Sequence, residues 1–296
     1  MKIALFGSMF TERTADAEAQ ICGVCESVHR HGQELYLPEN FFLSLPKTIQ
    51  QKIQSFAILF DELPDVEMVI SVGGDGTFLR TSSIVGNSGI PVLGINTGRL
   101  GFLAAINFAD VEDTFDEIVE GKFKTEERTL LKLTSDESST PFGYNIYALN
   151  EVAILKQDTA SMLSIHAYIN NEYLTSYQAD GLVIATPTGS TAYSLSVGGS
   201  ILSPTTPSII LSAVAPHNLT SRPLVVDDNS VISLKVESRS HTFLVSLDGQ
   251  SQVFNENIGI EIRKADHRLK IVKRLGHTFY ETLRDKLMWG ADVRQG

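Results

Sequence analysis

Three glycines surround one aspartate in Gly73-Gly74-Asp75-Gly76-Thr77, directly after the apolar run Val66–Val72. Glycines let a backbone come close to a phosphate, and a helix that starts there offers unpaired N–H groups whose dipole favours an anion. An aspartate in such a turn is held beside a phosphoryl chain, where it can orient an attacking hydroxyl and accept its proton late in the transfer. A carboxylate is a weak base at neutral pH, which suits a reaction dominated by positioning and charge stabilisation. Gly73, Gly74, Gly76 and Thr77 would line the phosphates, with Arg80 and Arg99 near enough in sequence to neutralise them. The bland alternative is a plain Asp-Gly turn with Asp75 capping a helix. Surface salt bridging is the equal alternative for Arg80, Arg99 and Arg222.

Missing motifs narrow the chemistry. There is no G-x-x-x-x-G-K-[ST] and no H-R-D catalytic loop, which excludes a P-loop enzyme and a protein kinase. Leu79 stands where G-x-G-x-x-G would put its last glycine, so an ordinary Rossmann dinucleotide site is disfavoured. Cys22 and Cys25 have the spacing of a redox or metal pair but fall inside an expected helix with no second pair, and read as two packed thiols. The seven histidines are scattered, so no structural zinc is expected. Lys264, Lys270, Lys273 and Arg274 read as a solvated strand face.

The elements that must position these residues follow from hydrophobic periodicity. Lys2–Phe6 reads as a buried strand, and Ala17, Ile21, Val24 and Val28 mark a helix from about Thr14 to His31, stopped by Gly32. Leu35–Leu37, Val66–Val72 and Ile90–Ile95 read as strands, Thr77–Val85 and Asp110–Glu120 as helices; residues 41–60 are ambiguous. This alternation predicts an α/β domain with a parallel sheet. After about Phe123 β-rich runs dominate: Leu130–Thr134, Tyr144–Leu155, Ser164–Ile169, Leu182–Ala185, Ile209–Val214, Val231–Val236, Thr242–Leu247, Ile258–Ile262 and Leu269–Lys273. That half is expected to be all-β and sandwich-like. Ser135–Pro141 reads as a polar loop and His277–Met288 as a final helix.

The composition sets outer bounds. The 296 residues, 43% hydrophobic and 20% charged, suit a globular protein of two domains. A net charge of −11 argues against general nucleic-acid binding, while leaving room for a small phosphorylated ligand held by backbone N–H groups and a few local cations. No run of 18 apolar residues is present, no signal peptide is read at MKIALFGSMF, and two cysteines fit a reducing compartment, so the expected location is the cytoplasm, with no membrane partner.

Together, the motifs point to a known family. Gly73-Gly74-Asp75-Gly76-Thr77 resembles the signature of a kinase superfamily that holds NAD kinases, diacylglycerol and sphingosine kinases, and phosphofructokinases. Further blocks resemble those of NAD kinases: Asn96-Thr97-Gly98-Arg99-Leu100-Gly101-Phe102-Leu103, Leu149-Asn150-Glu151, the long block Asp180 to Tyr193 continuing through Ser196 and Gly198-Gly199, Pro216 to Pro223, and Asp248-Gly249-Gln250. The resemblance spans about Val69 to Gln250 in the family's order.

The resemblance implies a fold and a set of roles. The fold is an α/β domain at 1–123, carrying the glycine motif, and a β-rich NAD-binding domain at 124–276, with 277–296 packing back on the first. The activity is transfer of the terminal phosphoryl group of ATP to the 2′-hydroxyl of the adenosine ribose of NAD. Asp75 would orient that hydroxyl or act as its base. Gly76, Phe102, Asn150, Glu151, Asp180, Thr188, Thr191, Ala192, Tyr193 and Ser196 would line the NAD site, and Asp248 and Gln250 belong to a further family block. A divalent metal, magnesium above all, would be bound through the phosphates of ATP or polyphosphate with no dedicated protein site, and the chain would form a homo-oligomer, a dimer or tetramer. Residue chemistry agrees: Glu151 can accept hydrogen bonds from vicinal hydroxyls, Thr188, Ser190 and Thr191 offer short hydroxyls, and Tyr193 an aromatic ring with a polar handle. Taken singly, Asn150-Glu151 also reads as a solvated strand end and Thr186-Pro187-Thr188-Gly189-Ser190 as an ordinary turn. Two other functions compete: a lipid kinase of the same superfamily and a non-catalytic dinucleotide sensor.

Overall fold

The structure is a computed structural model that describes residues 1–8, 14–98, 101–136, 141–143, 146–158, 162–256, 258–276 and 278–288. In chain order the first elements are β1 (Lys2–Gly7), α1 (Ala15–Arg30), β2 (Glu34–Pro38), α2 (Glu39–Ser44), α3 (Lys47–Ile53), β3 (Ala57–Phe60), β4 (Met68–Val72), α4 (Asp75–Val85), β5 (Val92–Asn96), β6 (Ile106–Asn107) and α5 (Val111–Val119). Then follow β7 (Phe123–Ser135), β8 (Tyr147–Ala148), β9 (Glu151–Lys156), β10 (Leu163–Ile169), β11 (Glu172–Ala179), β12 (Gly181–Ala185), α6 (Tyr193–Ser196), β13 (Ser208–Val214), β14 (Leu224–Asp227), β15 (Ile232–Glu237), β16 (Thr242–Leu247), β17 (Gln250–Asn255), β18 (Ile260–Arg274) and α7 (Phe279–Leu287). The chain divides into two compact units, Met1–Glu127 with Leu269–Gly296, and Arg128–Arg268.

In the first unit the strands run parallel in the order β3-β2-β1-β4-β5, with β6 parallel on β5 and the end of β18 joining parallel to β5 through Ile271 and Val92. The chain builds outward from β1 through β2 to β3, then returns to the other flank of β1 with β4. The order therefore reverses between β1 and β4, and such a reversal leaves a crevice outside the carboxyl ends of the strands. Val72, the last residue of β4, opens into the glycine motif there. Residues 41–60 resolve into two short helices and an edge strand, too short to show a period in sequence. Thr14 caps α1 by accepting the N–H of Ala17 at 3.2 Å, and the helix buries Ile21, Val24 and Val28 as its spacing required. Cys22 and Cys25 are free and buried on the same helix; burial pushes both thiols above their usual range.

The second unit holds two antiparallel sheets. One runs β11-β10-β15-β18; the other runs β14-β13-β12-β9-β16-β17. Their facing residues share one core, with Ile165, Leu234 and Ile262 from the first and Ile154, Leu182, Leu211 and Val245 from the second. Alternate residues point the other way, and Ala153, Val183, Ala185 and Ile210 form a smaller cluster with Tyr193, Val197 and Leu202. The segment after β12 thus lies across the outer face of the second sheet.

Several sequence-based expectations need correction. The expected strand Tyr144–Leu155 is interrupted at Leu149-Asn150, because the N–H groups there turn to a side-chain acceptor described below. Ile258–Ile262 and Leu269–Lys273 belong to one continuous strand, β18, whose polar positions between 263 and 268 mimic a loop. The β-rich half also contains two helical turns, Gly189–Thr191 and α6. Lys264 and Arg274 are not merely solvated: Lys264 pairs with the buried Asp228 at 2.9 Å, and Arg274 makes two 2.8 Å bonds to Glu117. Most of Ser135–Pro141 lies outside the described residues.

Candidate active site

The site residues fall into two clusters, one in each unit. The first is the start of α4. Gly73 has φ 153°, and a Cβ on it would stand 2.5 Å from Thr77 Oγ1, so only glycine lets Thr77 pack there. Gly74 and Gly76 are exposed, with open space where side chains would be. Gly74 caps the helix without a side chain, which leaves the first-turn N–H groups of Asp75 and Gly76 with no acceptor among the described residues. Thr81 holds α4 to the sheet by donating to Thr77 O at 2.9 Å and Ser71 Oγ at 3.2 Å.

Asp75 is the anchor of this cluster. Its Oδ1 accepts the N–H groups of Leu103 and Ala104, and its Oδ2 that of Phe102, each at 3.0 Å. Gly101 makes the approach possible, since a Cβ there would lie 2.0 Å from Asp75 Oδ1. Asp75 therefore fixes the backbone of the second sequence block, and Phe102 stands beside it, half-buried. A carboxylate has about four lone-pair positions. Among the described residues three are used, and one is left on Oδ2 for a further donor.

The second cluster repeats this device. Asp248 occupies the tight turn between β16 and β17 at φ 49°, followed by Gly249 at 85°, as a two-residue hairpin turn demands. Its Oδ1 accepts from Asn150 at 2.8 Å and Glu151 at 3.0 Å, and its Oδ2 from Leu149 at 2.7 Å. Thr186 grips the same segment from the other side: it donates to Leu149 O at 2.6 Å and accepts the N–H of Gly189 at 3.1 Å. Gly189 must lack a side chain, because a Cβ would stand 2.1 Å from Asn150 O.

Glu151, so placed, is 8% exposed. It accepts the N–H of Tyr193, yet its Oε2 is buried with no partner among the described residues, as is Thr188 Oγ1. Burial first, and the neighbouring Asp248 charge second, push the Glu151 carboxyl up to about 8. Burial also raises Asp248, against the pull of its three N–H donors. The Tyr193 phenol is raised by burial and by the charges of Glu151 and Asp180, which brings Asp180 to the same cluster; Asp180 itself pairs with Lys156 at 2.8 Å. Buried polar groups without partners are costly, so Glu151 Oε2 and Thr188 Oγ1 are bonding positions that this cluster leaves open among the described residues.

The expected residues are therefore distributed as follows. Gly73, Gly74, Asp75, Gly76, Thr77 and Phe102 gather at the start of α4, with Arg80 one turn further along it. Asn150, Glu151, Thr188, Tyr193 and Asp248 gather in the second unit; Thr191 turns its hydroxyl to Thr188 O, and Ser196 turns its own to Tyr193 O. Ala192 caps α6, and Gln250 opens β17 beyond the Asp248 turn. Arg99 lies outside the described residues. Arg222 spends its guanidinium on the carbonyls of Leu219 and Ser221 in its own loop. Asn150 and Glu151 are buried, so they are not a solvated strand end. Sequence reading placed Gly101, Thr186 and Asp248 inside family blocks but gave none of them a role; an Asp-Gly turn signal locates Asp248, but nothing local says what its carboxylate reaches.

A parallel α/β unit with a glycine-aspartate turn at its switch point, followed by a β-rich unit with buried unpaired polar atoms, belongs to the class of two-unit proteins suited to a phosphorylated ligand. Comparison with known proteins makes this particular. Residues 41–123 match the ATP-NAD kinase N-terminal domain and residues 149–274 the ATP-NAD kinase C-terminal domain. The chain is 47% identical over 294 residues to an NAD kinase of Bacteroides fragilis, covering 99% of this chain and 100% of that one. It is 45% identical over 295 residues to one of Porphyromonas gingivalis, covering 99% of each. Among solved structures, yeast NADH kinase complexed with NADH superposes with a TM-score of 0.85 at 23% identity, over 100% of this chain and 89% of that one. An NAD kinase from Archaeoglobus fulgidus in complex with ATP superposes with 0.74 at 24% identity, over 96% and 99%; these two likenesses concern the fold. The chain belongs to the NAD kinase family, and its activity is the phosphorylation of NAD to NADP.

Proposed function

We propose that Asp75 and the Glu151 cluster divide the work of this reaction. The Asp75 carboxylate receives the adenosine-ribose 2′-hydroxyl on the one acceptor position its three N–H donors leave open, aligns it for attack, and takes its proton as the new P–O bond forms. The unpaired N–H groups at the start of α4, with Gly74 and Gly76 offering no side chain to obstruct, hold the phosphoryl chain. Glu151 Oε2 and Thr188 Oγ1 bond to the dinucleotide, Tyr193 packs against it, and Asn150, Asp180, Thr191, Ala192 and Ser196 line the remainder. Phe102 borders the adenine. The observation that carries this reading is the pair of buried polar atoms without partners among the described residues, beside the Asp248 carboxylate that the fold has clamped.

ATP is the donor in this reading. Magnesium would enter on the donor's phosphates and offset their charge, and no residue of the chain is assigned to it. The cytoplasm and a homo-oligomeric state complete the proposal. An end-point assay with NAD, ATP and magnesium, read out by an NADP-specific dehydrogenase, tests it. NADP formation dependent on all three is the expected result, and NAD binding without NADP formation would turn the reading toward a sensor.

A further inference from the structure

Three side chains on neighbouring strands of the second unit stand in a row that phosphoryl transfer to NAD does not employ. Ser176 on β11 and His166 on β10 are cross-strand partners, and Glu237 ends the next strand, β15. Ser176 Oγ lies 2.6 Å from His166 Nδ1, and His166 Nε2 lies 3.3 Å from Glu237 Oε1. The Tyr173 hydroxyl lies 2.8 Å from the same Ser176 Oγ. Ile165, Ala167, Tyr177 and Val236, which flank the row in sequence, are buried. Side chains alternate along a strand, so the row occupies the opposite, solvent face of the sheet. His166 keeps 29% of its side-chain surface open there, within reach of a solute.

The charges set the order of the protons. A carboxylate beside Nε2 favours the proton on that nitrogen, which leaves the Nδ1 lone pair to accept the Ser176 hydroxyl. Ser176 Oγ, having given its own hydrogen to His166, takes that of Tyr173. A polar ladder on a solvated sheet face only has to pair donors with acceptors. This one also sets a hydroxyl on a nitrogen base that an anion turns and supports, which is the arrangement that activates a serine.

We infer that Ser176 is a nucleophile toward small activated esters, an activity separate from the phosphorylation of NAD. Ser176 Oγ attacks the acyl carbon, and its proton passes to His166 Nδ1. The oxyanion that forms takes the hydrogen bond of Tyr173. As the tetrahedral adduct collapses, the C–O bond to the leaving group breaks, and His166 gives its proton to the departing oxygen. Water then adds to the acyl-serine with His166 as its base. The carboxylic acid leaves, and Ser176 regains its hydrogen. Tyr173 supplies a single oxyanion donor, so the leaving group must be a good one, an aryl ester rather than an amide. The rings of Tyr168 and Tyr173, edge to face at 5.6 Å, offer an aromatic surface for the aryl group.

Reaction of the full chain with a fluorophosphonate probe and with p-nitrophenyl acetate tests the inference. With the probe, Ser176 Oγ displaces fluoride from phosphorus. Phosphonylation mapped to Ser176 by peptide mass spectrometry is expected, with p-nitrophenol release that is lost in Ser176→Ala. His166→Gln should lower both rates by at least about 100-fold, the scale of a general base. Glu237→Gln, which keeps an acceptor near Nε2 but removes the charge, should lower them by a smaller factor. All three variants should form NADP at the wild-type rate, a readout that separates loss of this activity from loss of the fold. Label on another residue or on none, or release by Ser176→Ala equal to that of the wild type, overturns the inference. Undiminished rates in His166→Gln would overturn it as well, leaving the row a polar ladder.

Discussion

The carboxylate of Asp248 accepts the backbone N–H of Glu151 at 3.0 Å, from 97 positions further along the chain. It bonds the N–H groups of Leu149 and Asn150 as well, so a hairpin turn in one part of the β-rich unit sets the backbone of a binding segment in another. Asparagine in its place offers one acceptor oxygen and sets an N–H₂ group against N–H donors. Asp248→Asn is expected to cost on the order of 2–3 kcal/mol of stability, the scale of buried hydrogen bonds to a charged acceptor. It should also raise the KM for NAD more than it lowers kcat. Urea unfolding at constant m, with steady-state kinetics, checks both parts.

The elevated Glu151 carboxyl makes stability depend on pH. Its folded value is about 8 against an ordinary 4.5, so the folded chain binds this proton more tightly than the unfolded chain. Between those values stability falls as pH rises, and above about 8 the loss is complete. Glu151→Gln removes this group's share of the dependence. Between pH 6 and 8 the wild-type protein should lose on the order of 2 kcal/mol more unfolding free energy than the variant. Parallel pH profiles for the two would refute the assignment.

Gly189 and Gly101 are set by close approach. A Cβ at 189 would stand 2.1 Å from the Asn150 carbonyl, and one at 101 would stand 2.0 Å from Asp75 Oδ1. Gly189→Ala must displace the 149–151 segment, with an expected cost of about 1–3 kcal/mol and a rise in the KM for NAD. Gly101→Ala must displace the Asp75 carboxylate or its loop, and there kcat should fall while the KM for NAD moves little. Initial-rate kinetics on the two variants should show this division; the same change in both would remove the distinction between the clusters.

The sequence reading and the structure agree where a signal is local. The helix from Thr14 and the strand ending at Val72 follow from apolar spacing and end signals, and the glycine turn from its composition. The β-rich half was legible as a class, but β11, β14 and β17 were not read, because partly exposed strands such as Gln250–Asn255 carry too few apolar residues to alternate. The family blocks located the candidate residues. They could not say that two motif aspartates serve as acceptors for three consecutive N–H groups each, or that Gly101 and Gly189 exist to let those loops close. Those relations join residues tens of positions apart, and only the folded chain brings them together.

The most direct test of the account is the kinetics of Asp75→Asn with NAD, ATP and magnesium. General-base and orienting roles contribute roughly 10²–10⁴-fold. The account predicts that kcat falls by at least about 100-fold while the KM for NAD stays within about threefold, because the Glu151 cluster, to which NAD binding is proposed to belong, is untouched. A variant turning over within a factor of about two of wild type would leave Asp75 as a loop anchor only, and the mechanism proposed for it would be wrong.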